Sequence, residues 1–408
     1  MSSKVLLVAG ARPNYMKIAP IYWAFAAHAH NAFDVELVHT GQHYDASMSG
    51  DFFRDLQLPA PSVNLGVGSG SHATQTAKVM VGFERVVLDK QPHFVIVVGD
   101  VNSTAGCALV ASKILYEAPA RWRRPVIAHV EAGLRSRDRM MPEEINRIVT
   151  DAISDVLFTT CRDADANLRS EGIPAERIRF VGNPMIDSLL RCLDAADRCA
   201  LLDGLRLSRG AFGVCTLHRP SNVDHGDVLA EILGALREIA AQIPILLPLH
   251  PRTRARIDQF GLRDHLTTLT GSATRAPQRG LLALEPLSYV EMLRAMTSAR
   301  FVLTDSGGIQ EETTALGVPC VTLRENTERP VTISEGTNVL AGVTRRGILD
   351  GLEEALRKAE RGTRVPELWD GRAGVRIVDT LAALSGAGVA PATRPNPAAA
   401  ALQLAENR

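Results

Sequence analysis

Residues 125–147 read PVIAHVEAGLRSRDRMMPEEINR and predict one strand–loop–helix unit of an α/β protein. The apolar run Pro125–Val130 is typical of a central parallel strand that is buried on both faces. Pro142 suits the first turn of a helix. The apolar residues that follow recur at helical spacing and predict an amphipathic helix: Ile145, Ile148, Val149, Ala152, Ile153 and Val156.

The loop and the helix start within this stretch concentrate charge. The charged residues are Glu131, Arg135, Arg137, Asp138, Arg139, Glu143, Glu144 and Arg147. Buried carboxylates beside guanidinium groups destabilise a fold unless a site needs their protons or charges. We therefore expect acid/base groups here, at the mouth of a parallel sheet, with Glu143 and Arg147 on one helix face. A solvated loop before an ordinary helix is the alternative.

The composition is that of an ordinary globular protein with two domains. The 408 residues are 46% hydrophobic and 22% charged, and 45 basic residues balance 45 acidic ones. This balance does not indicate a nucleic-acid or anionic-membrane partner. The six cysteines form no C-x-x-C pair, the N-terminus does not read as a signal peptide, and no apolar run reaches the ~20 residues of a membrane span. We expect a reduced, cytoplasmic protein.

Polar residues recur just after the predicted strands of the first half. The strand Val5–Val8 leads to Arg12 and Lys17, and the strand Phe94–Val98 leads to Asp100. Ligands of α/β sheets bind beyond the carboxyl ends of the strands, so Arg12 and Lys17 are candidate anion contacts. Two surface cations near a turn are the alternative.

The second half repeats this layout. Strands near residues 214–216, 245–249 and 301–304 are followed by His218, His250 and the turn Ser306-Gly307-Gly308. Glycines let a phosphate approach the backbone N–H groups of such a turn. Glu311 and Glu312 are predicted in the first turn of the next helix, where a carboxylate either grips ribose hydroxyls or complements the helix dipole. The pattern predicts an α/β fold with two Rossmann-like domains facing across a cleft.

Domain boundaries follow from the element pattern. We predict an N-terminal domain over 1–184, a nucleotide-binding domain over 185–368, a C-terminal helix over 369–385 and a mobile tail over 386–408, which is rich in Ala and Pro.

Four motifs in order carry a resemblance over about residues 4–384: HVEAGLRS at 129–136, PEEINR at 142–147, TDSGGIQEE at 304–312 and ERP at 328–330. The chain resembles the non-hydrolysing UDP-N-acetylglucosamine 2-epimerases. The resemblance implies a glycosyltransferase-B-like architecture whose C-terminal helix crosses back to the first domain. It also implies an isomerase that interconverts UDP-N-acetylglucosamine and UDP-N-acetylmannosamine by eliminating UDP to a 2-acetamidoglucal and adding it back.

The resemblance also implies roles for individual residues. The catalytic group comprises Asp100, Glu131, Glu143 and His218. The substrate-binding group comprises Arg12, Lys17, Arg147, His250, Ser306, Gly307, Gly308, Glu312 and Arg329. No metal or cofactor is implied, in keeping with the missing G-x-G-x-x-G turn, and the expected assembly is a homodimer. Ser69-Gly70 replaces the Arg-Gln of members activated by a second UDP-N-acetylglucosamine, so such activation stays open.

Three alternatives share part of this pattern. A glycosyltransferase of the same architecture would share the nucleotide grip but would not need several carboxylates around C2 of the sugar. A hydrolysing 2-epimerase would release UDP and free N-acetylmannosamine. A catalytically silent nucleotide-sugar binding protein would not need Asp100, Glu131, Glu143 and His218.

Overall fold

The computed structural model describes residues 2–28, 32–42, 53–117, 123–268 and 276–386. The chain divides into two compact units. Unit 1 comprises Met1–Leu190 and Glu367–Arg408, and unit 2 comprises Arg191–Pro366. The tail predicted to be mobile lies outside the described residues beyond Gly386.

Unit 1 is built on a parallel sheet whose described strands follow the order β3-β2-β1-β4-β5-β6-β7. The strands are β1 (Ser3–Ala9), β2 (Phe33–His39), β3 (Val63–Asn64), β4 (Phe94–Val98), β5 (Val126–Ala132), β6 (Val156–Thr159) and β7 (Ile178–Phe180). All five residues of β4 are apolar and buried, as the sequence predicts for a central strand. The strand order reverses between β1 and β4, which makes their carboxyl ends the switch point where such sheets bind ligands.

Helices cover both faces of this sheet, as parallel strands require. They are α1 (Arg12–His28), α2 (His72–Lys90), α3 (Asn102–Lys113), α4 (Pro142–Ile153), α5 (Arg162–Ser170) and α6 (Pro184–Asp197), with a 3₁₀ turn over Ala175–Arg177. Pro142 is the first residue of α4, as predicted. One core cluster joins Val95 and Val97 of β4 to Phe83 of α2 and Cys107 of α3.

Helix α4 buries its polar face instead of its apolar stripe. Its buried residues are Glu144, Arg147, Thr150 and Asp151, whereas Ile145 is 37% exposed. An amphipathic helix normally turns its apolar stripe to the core. The inversion is tolerated because three of these four side chains are hydrogen-bonded or ion-paired beneath the helix, as described below.

Unit 2 repeats the design, with described strands in the order β10-β11-β9-β8-β12-β13-β14, all parallel. The strands are β8 (Gly213–Thr216), β9 (Ile245–Pro248), β10 (Thr267–Thr268), β11 (Leu281–Leu284), β12 (Phe301–Thr304), β13 (Cys320–Thr322) and β14 (Asn338–Leu340). Here the order reverses between β8 and β12, so the carboxyl ends of these two strands form the switch point.

The helices of unit 2 are α7 (Leu201–Leu205), α8 (Pro220–Val223), α9 (Gly226–Ala240), α10 (Pro251–Gln259), α11 (Tyr289–Ser298), α12 (Gly307–Leu316), α13 (Val331–Ser334) and α14 (Arg345–Glu360), with a 3₁₀ turn over Arg263–His265. The core lies between the sheet and the helices α9 and α14. No helix in the described ranges is long and apolar enough to cross a membrane.

The C-terminal helix α15 (Ala373–Ser385) belongs to unit 1, where it packs against α1. Asp187 holds its first turn by accepting the backbone N–H groups of Ala373 at 3.2 Å and Gly374 at 2.8 Å. Gly374 lies against the backbone of Pro20, so close that a Cβ would clash there. This return of the chain confirms the expectation of a helix that crosses back to the first domain.

Candidate functional site

The loop after β1 is tied to the end of β4 by Asn14. Its side-chain oxygen accepts the N–H groups of Gly10 and Ala11, both at 2.9 Å, and its side-chain nitrogen donates to the carbonyl of Val98 at 3.2 Å. These bonds fix the backbone at the switch point of unit 1. Arg12 opens α1, and its side chain lies outside the described residues.

Lys17 and Glu131 form a buried ion pair at this switch point. The Lys17 ammonium contacts Glu131 Oε2, and the two side chains are only 6% and 5% exposed. Glu131 adopts φ 70° at a register shift in β5. A left-handed conformation costs a non-glycine residue of order 1–3 kcal/mol, and such strain clusters at functional sites.

Gly99 allows the turn after β4 to approach this pair. Val98 pairs with Val130 across the sheet, so Gly99, just past the end of β4, lies at the same level as Glu131 of β5. A Cβ on Gly99 would lie 2.9 Å from Lys17 Nζ and 3.2 Å from Glu131 Oε2. Its φ of 68° favours glycine as well. Asp100, the next residue, is thereby held near the pair.

Arg147 is buried between two carboxylates. Its NH1 donates to Asp100 Oδ2 at 2.5 Å, and its NH2 donates to Glu144 Oε2 at 2.7 Å. Glu144 also accepts the backbone N–H groups of Ser136 at 3.0 Å and Arg137 at 2.9 Å. Burial alone would raise the pKa of Glu144, but these N–H donors and the Arg147 guanidinium outweigh it and lower the pKa.

The partners of Arg147 differ from those that the sequence suggested. Glu143 shares the first turn of α4 but is half-exposed, and the buried partner of Arg147 is its neighbour Glu144. Glu144 is not among the site residues that were predicted from the sequence. Only its spacing in the sequence pointed to Glu144, which is three positions before Arg147. Glu143 is four positions before Arg147, and both spacings place a side chain next to Arg147 on a helix.

His218 is oriented by a buried carboxylate in unit 2. Its Nδ1 lies 2.9 Å from Asp305 Oδ1, and Asp305 is fully buried while the His218 side chain is 42% exposed. Asp305 also accepts the backbone N–H groups of His218 and Arg219 at 2.9 Å. Burial alone would raise the pKa of Asp305, but the His218 ring and these N–H groups outweigh it and lower the pKa. The ring of His250 lies 5.9 Å from that of His218.

Ser306, Gly307 and Gly308 form the start of α12, at the end of β12. Such a helix start directs backbone N–H groups and a partial positive charge at an anion. Gly307 lies against the guanidinium of Arg329, and a Cβ there would overlap with it. The structure thus brings four predicted substrate-binding residues together.

Arginines and carboxylates form a network of ion pairs behind this helix start. Arg329 Nε lies 3.1 Å from Glu311, and Arg329 also donates to Glu328. Glu328 further contacts Arg324 at 2.8 Å and Arg219 at 3.4 Å. Burial would raise the pKa of Glu328, but the three arginines hold it well below its usual value. Arg329, whose guanidinium lies against Gly307, places a cation at the helix start.

Glu311 and Glu312 were predicted in the first turn of α12, and this prediction is wrong. Glu312 lies on the second turn. The first turn begins at Gly307 and contains no acidic residue. Glu312 is buried and accepts the hydroxyl of Tyr289 at 2.9 Å. Burial raises the pKa of Glu312 to about 7, opposed by the Tyr289 hydrogen bond and helped by the nearby Glu311.

Each unit therefore places polar groups at the switch point of a parallel sheet. The switch point of unit 1 carries carboxylates that are ion-paired with basic side chains. The switch point of unit 2 carries a helix start that can bind an anion. Within the described residues, no group of three or more His, Cys, Asp or Glu side chains could hold a metal ion. Two Rossmann-like units with these sites define an enzyme of the glycosyltransferase-B-like class. A sequence profile of the UDP-N-acetylglucosamine 2-epimerases matches residues 26–382, and the chain belongs to this family.

Individual relatives agree with this assignment. UDP-N-acetylglucosamine 2-epimerase of Methanocaldococcus jannaschii is 39% identical over 384 residues, which are 93% of this chain and 98% of the relative. The crystal structure of the M. jannaschii enzyme in complex with UDP-GlcNAc and UDP matches with a TM-score of 0.81, at 38% identity, and covers 93% of this chain and 99% of that one. UDP-2,3-diacetamido-2,3-dideoxy-D-glucuronate 2-epimerase of Pseudomonas aeruginosa is also 39% identical, over 93% of this chain and 100% of the relative.

Proposed function

We propose that this protein is a non-hydrolysing 2-epimerase that interconverts UDP-N-acetylglucosamine and UDP-N-acetylmannosamine. The family match favours this reaction over glycosyl transfer. The observation that carries the proposal is the buried Lys17–Glu131 pair beside Asp100 at one switch point. Carboxylates held in this way suit proton transfer at a carbon atom, whereas a transferase needs only an acceptor base.

The chemistry requires two bonds to break. H2 of the sugar is not adjacent to a carbonyl, so a base removes it as the C1–O bond breaks and its electron pair leaves with UDP. A C1=C2 double bond forms, giving 2-acetamidoglucal. A proton then adds to the opposite face of C2 as a UDP oxygen adds back to C1. No oxidant or reductant is consumed.

Unit 1 supplies the proton-transferring groups in this proposal. Asp100, Glu131 and Glu143 exchange the protons at C2. Lys17 holds Glu131 in place, because the two side chains form a buried ion pair. Arg147 fixes Asp100 through its bond to Oδ2.

Unit 2 supplies the grip on UDP. Ser306, Gly307 and Gly308 present N–H groups to the diphosphate, and Arg329 adds positive charge. His218 and His250 lie beside each other at the ends of neighbouring strands, and His218 acts on the leaving phosphate oxygen. Glu312 accepts ribose hydroxyls. Stabilising and retaining the leaving group is what makes re-addition outcompete hydrolysis.

A second substrate is favoured by the P. aeruginosa relative, whose named substrate differs from UDP-N-acetylglucosamine at C3 and C6 of the sugar. That relative is as similar to this chain as the M. jannaschii enzyme. Both substrates share the UDP group and the 2-acetamido carbon. The same elimination and re-addition would therefore epimerise either one.

Product analysis tests the proposal. The purified protein is incubated separately with UDP-N-acetylglucosamine and with the 2,3-diacetamido glucuronate analogue, without acceptor, and products are followed by proton NMR. We expect an equilibrium mixture of two UDP-sugars from at least one substrate. Stoichiometric free N-acetylmannosamine would identify a hydrolysing enzyme, and turnover only after an acceptor is added would identify a transferase.

We also propose a homodimer that uses the outward face of unit 1. The inversion of α4 leaves Ile145 37% exposed, and α2 exposes Val81 at 57% and Leu88 at 53%. Helices α2, α3 and α4 pack side by side. We take these exposed apolar side chains as the interface, and a twofold axis pairs them with the same residues of a second copy.

Sedimentation velocity tests the homodimer. Ile145→Asp is expected to sediment as a monomer, while the wild type and the control Val365→Asp sediment as dimers; Val365 is 41% exposed in unit 2. A dimeric Ile145→Asp variant would exclude this face.

We propose a cytoplasmic location as well, since all six cysteines lie in the described ranges and carry thiols rather than disulfides.

A further inference from the structure

His129 is fully buried on β5, and both of its ring nitrogens face acceptors. Nδ1 lies 2.7 Å from Asp151 Oδ1 of α4, and Nε2 lies 2.8 Å from the carbonyl oxygen of Gly99. A carbonyl oxygen can only accept a hydrogen bond, and an ionised carboxylate can only accept one. A neutral imidazole has a single N–H and would set a lone pair against one of these oxygens. The geometry therefore requires a ring that donates from both nitrogens.

The same strand fixes both polar groups of Gly99. The Gly99 N–H donates to the carbonyl of Val130 at 3.0 Å, while its carbonyl accepts from His129. Val130 thus fixes the peptide plane between Val98 and Gly99, and the His129 ring fixes the next peptide plane, which joins Gly99 to Asp100. The position of the Asp100 side chain follows from this plane.

Asp151 fixes the turn that follows Glu131 in the same way. Its Oδ2 accepts the N–H of Gly133 at 3.1 Å and lies 2.8 Å from Arg135 NH2. Burial would raise the pKa of Asp151, but the His129 ring and the Arg135 guanidinium outweigh it and lower the pKa, so the group is a carboxylate. Arg135 also pairs with Glu171 at 2.7 Å. A charged His129 and Arg135 then balance Asp151 and Glu171.

We infer that the buried ion pair of His129 and Asp151 positions both catalytic turns at once, with His129 as a doubly protonated imidazolium. One end of the pair holds the backbone before Asp100, and the other holds the backbone after Glu131. His129 and Asp151 are positioning residues, because each acts through the peptide groups of the turns. The inference rests on the proposed function for its kinetic part, whereas the charge on His129 does not depend on it.

NMR of the ring nitrogens tests the charge. In the histidine-labelled wild-type protein at neutral pH, we expect both nitrogens of His129 to resonate as protonated, N–H-bearing nitrogens. His39 serves as an internal comparison, because burial lowers its pKa and its Nε2 lies 2.6 Å from the Tyr15 hydroxyl. The His39 ring should show one protonated and one unprotonated nitrogen. An unprotonated nitrogen on His129 would overturn the inference.

Kinetics test the positioning role. His129→Gln and Asp151→Asn should lower kcat for epimerisation about 100-fold, the effect of a misplacement of about 1 Å. UDP affinity should change by less than about threefold, because the diphosphate grip lies in unit 2. Thr150→Val is the matched control: Thr150 is the neighbour of Asp151 on the same buried face, and its hydroxyl has no hydrogen-bond partner among the described residues. It should retain wild-type kcat.

Unchanged kcat in both variants would overturn the positioning role. Loss of UDP binding together with kcat would also overturn it, since it would indicate general unfolding. If neither variant folds, the nitrogen spectrum of the wild type still decides the charge. An inactive wild-type protein would instead refute the proposed function, and it would leave the nitrogen spectrum as the remaining test of the pair.

Discussion

The Lys17 ammonium contacts the carboxylate of Glu131 although 114 positions separate the two residues in the chain. Helix α1 and strand β5 bring them together, and both side chains are almost completely buried. Removing one partner of a buried ion pair leaves an uncompensated charge, which costs about 3–5 kcal/mol. This pair therefore supports both the fold of unit 1 and the placement of a carboxylate that the proposed reaction uses.

Lys17→Met should impair both properties. We expect epimerisation to fall by a factor of about 10²–10⁴ and the free energy of unfolding to fall by about 3 kcal/mol. Product NMR and urea denaturation measure the two effects. Lys113→Met is the control, because Lys113 is exposed at the end of α3, and it should match the wild type. Wild-type turnover in Lys17→Met would show that Glu131 works without its partner.

The two adjacent glutamates of α4 should respond differently to neutralisation. Glu143→Gln removes a half-exposed group and should lower turnover by a factor of about 10²–10⁴ with little change in stability. Glu144→Gln weakens the buried contacts to Arg147 and Ser136 and should lower the free energy of unfolding by about 1–3 kcal/mol. Urea denaturation and turnover assays separate the two effects. The reverse pattern would exchange the roles proposed for these residues.

UDP affinity should depend on pH through Glu312. Burial raises its pKa to about 7, and a carboxylate accepts ribose hydroxyls better than a protonated carboxyl does. We expect calorimetry to show UDP binding weakening about tenfold as the pH falls from 8 to 6. In Glu312→Gln this dependence should disappear. An equal pH dependence in both proteins would assign it to another group.

The same residue predicts an opposite trend in stability without ligand. The folded-state pKa lies above the ordinary value of 4.5, so folding favours the neutral form. Its stabilising contribution, of order 3 kcal/mol, is complete below pH 4.5 and is lost as the pH rises through 7. Urea midpoints of the wild type should fall over this range more than those of Glu312→Gln. Parallel curves would contradict the raised pKa.

Gly307→Ala should weaken the diphosphate grip. An added Cβ would displace Arg329 and Glu328 from the start of α12. We expect UDP affinity measured by calorimetry to fall at least about tenfold, through loss of a charge-assisted contact. Gly234→Ala is the matched control in α9, where an added Cβ meets nothing within 4 Å. It should bind UDP like the wild type and be slightly more stable. Unchanged binding by Gly307→Ala would remove this turn from the site.

The sequence could predict the strands and which polar residues follow them, because buried parallel strands read as apolar runs. The strand Phe94–Val98 and the helix start at Pro142 have the predicted bounds. Which face of α4 is buried could not be predicted. The periodicity of the sequence locates the apolar stripe of the helix, but it does not show which side of the helix packs against other elements. Glu144 and the His129–Asp151 pair were missed for a related reason. Their roles depend on contacts between separate elements, which spacing along the chain does not encode.

Isotope exchange at C2 shows whether the protein removes and returns the proton of the sugar, and whether Glu131 is needed for it. The wild-type protein and Glu131→Gln are incubated with UDP-N-acetylglucosamine in heavy water, and the recovered UDP-sugars are examined by NMR and mass spectrometry. We expect one deuterium at C2 of both epimers for the wild type, and no exchange in Glu131→Gln, which should still bind UDP. Epimers recovered from the wild type without deuterium, or full exchange in Glu131→Gln, would contradict this expectation.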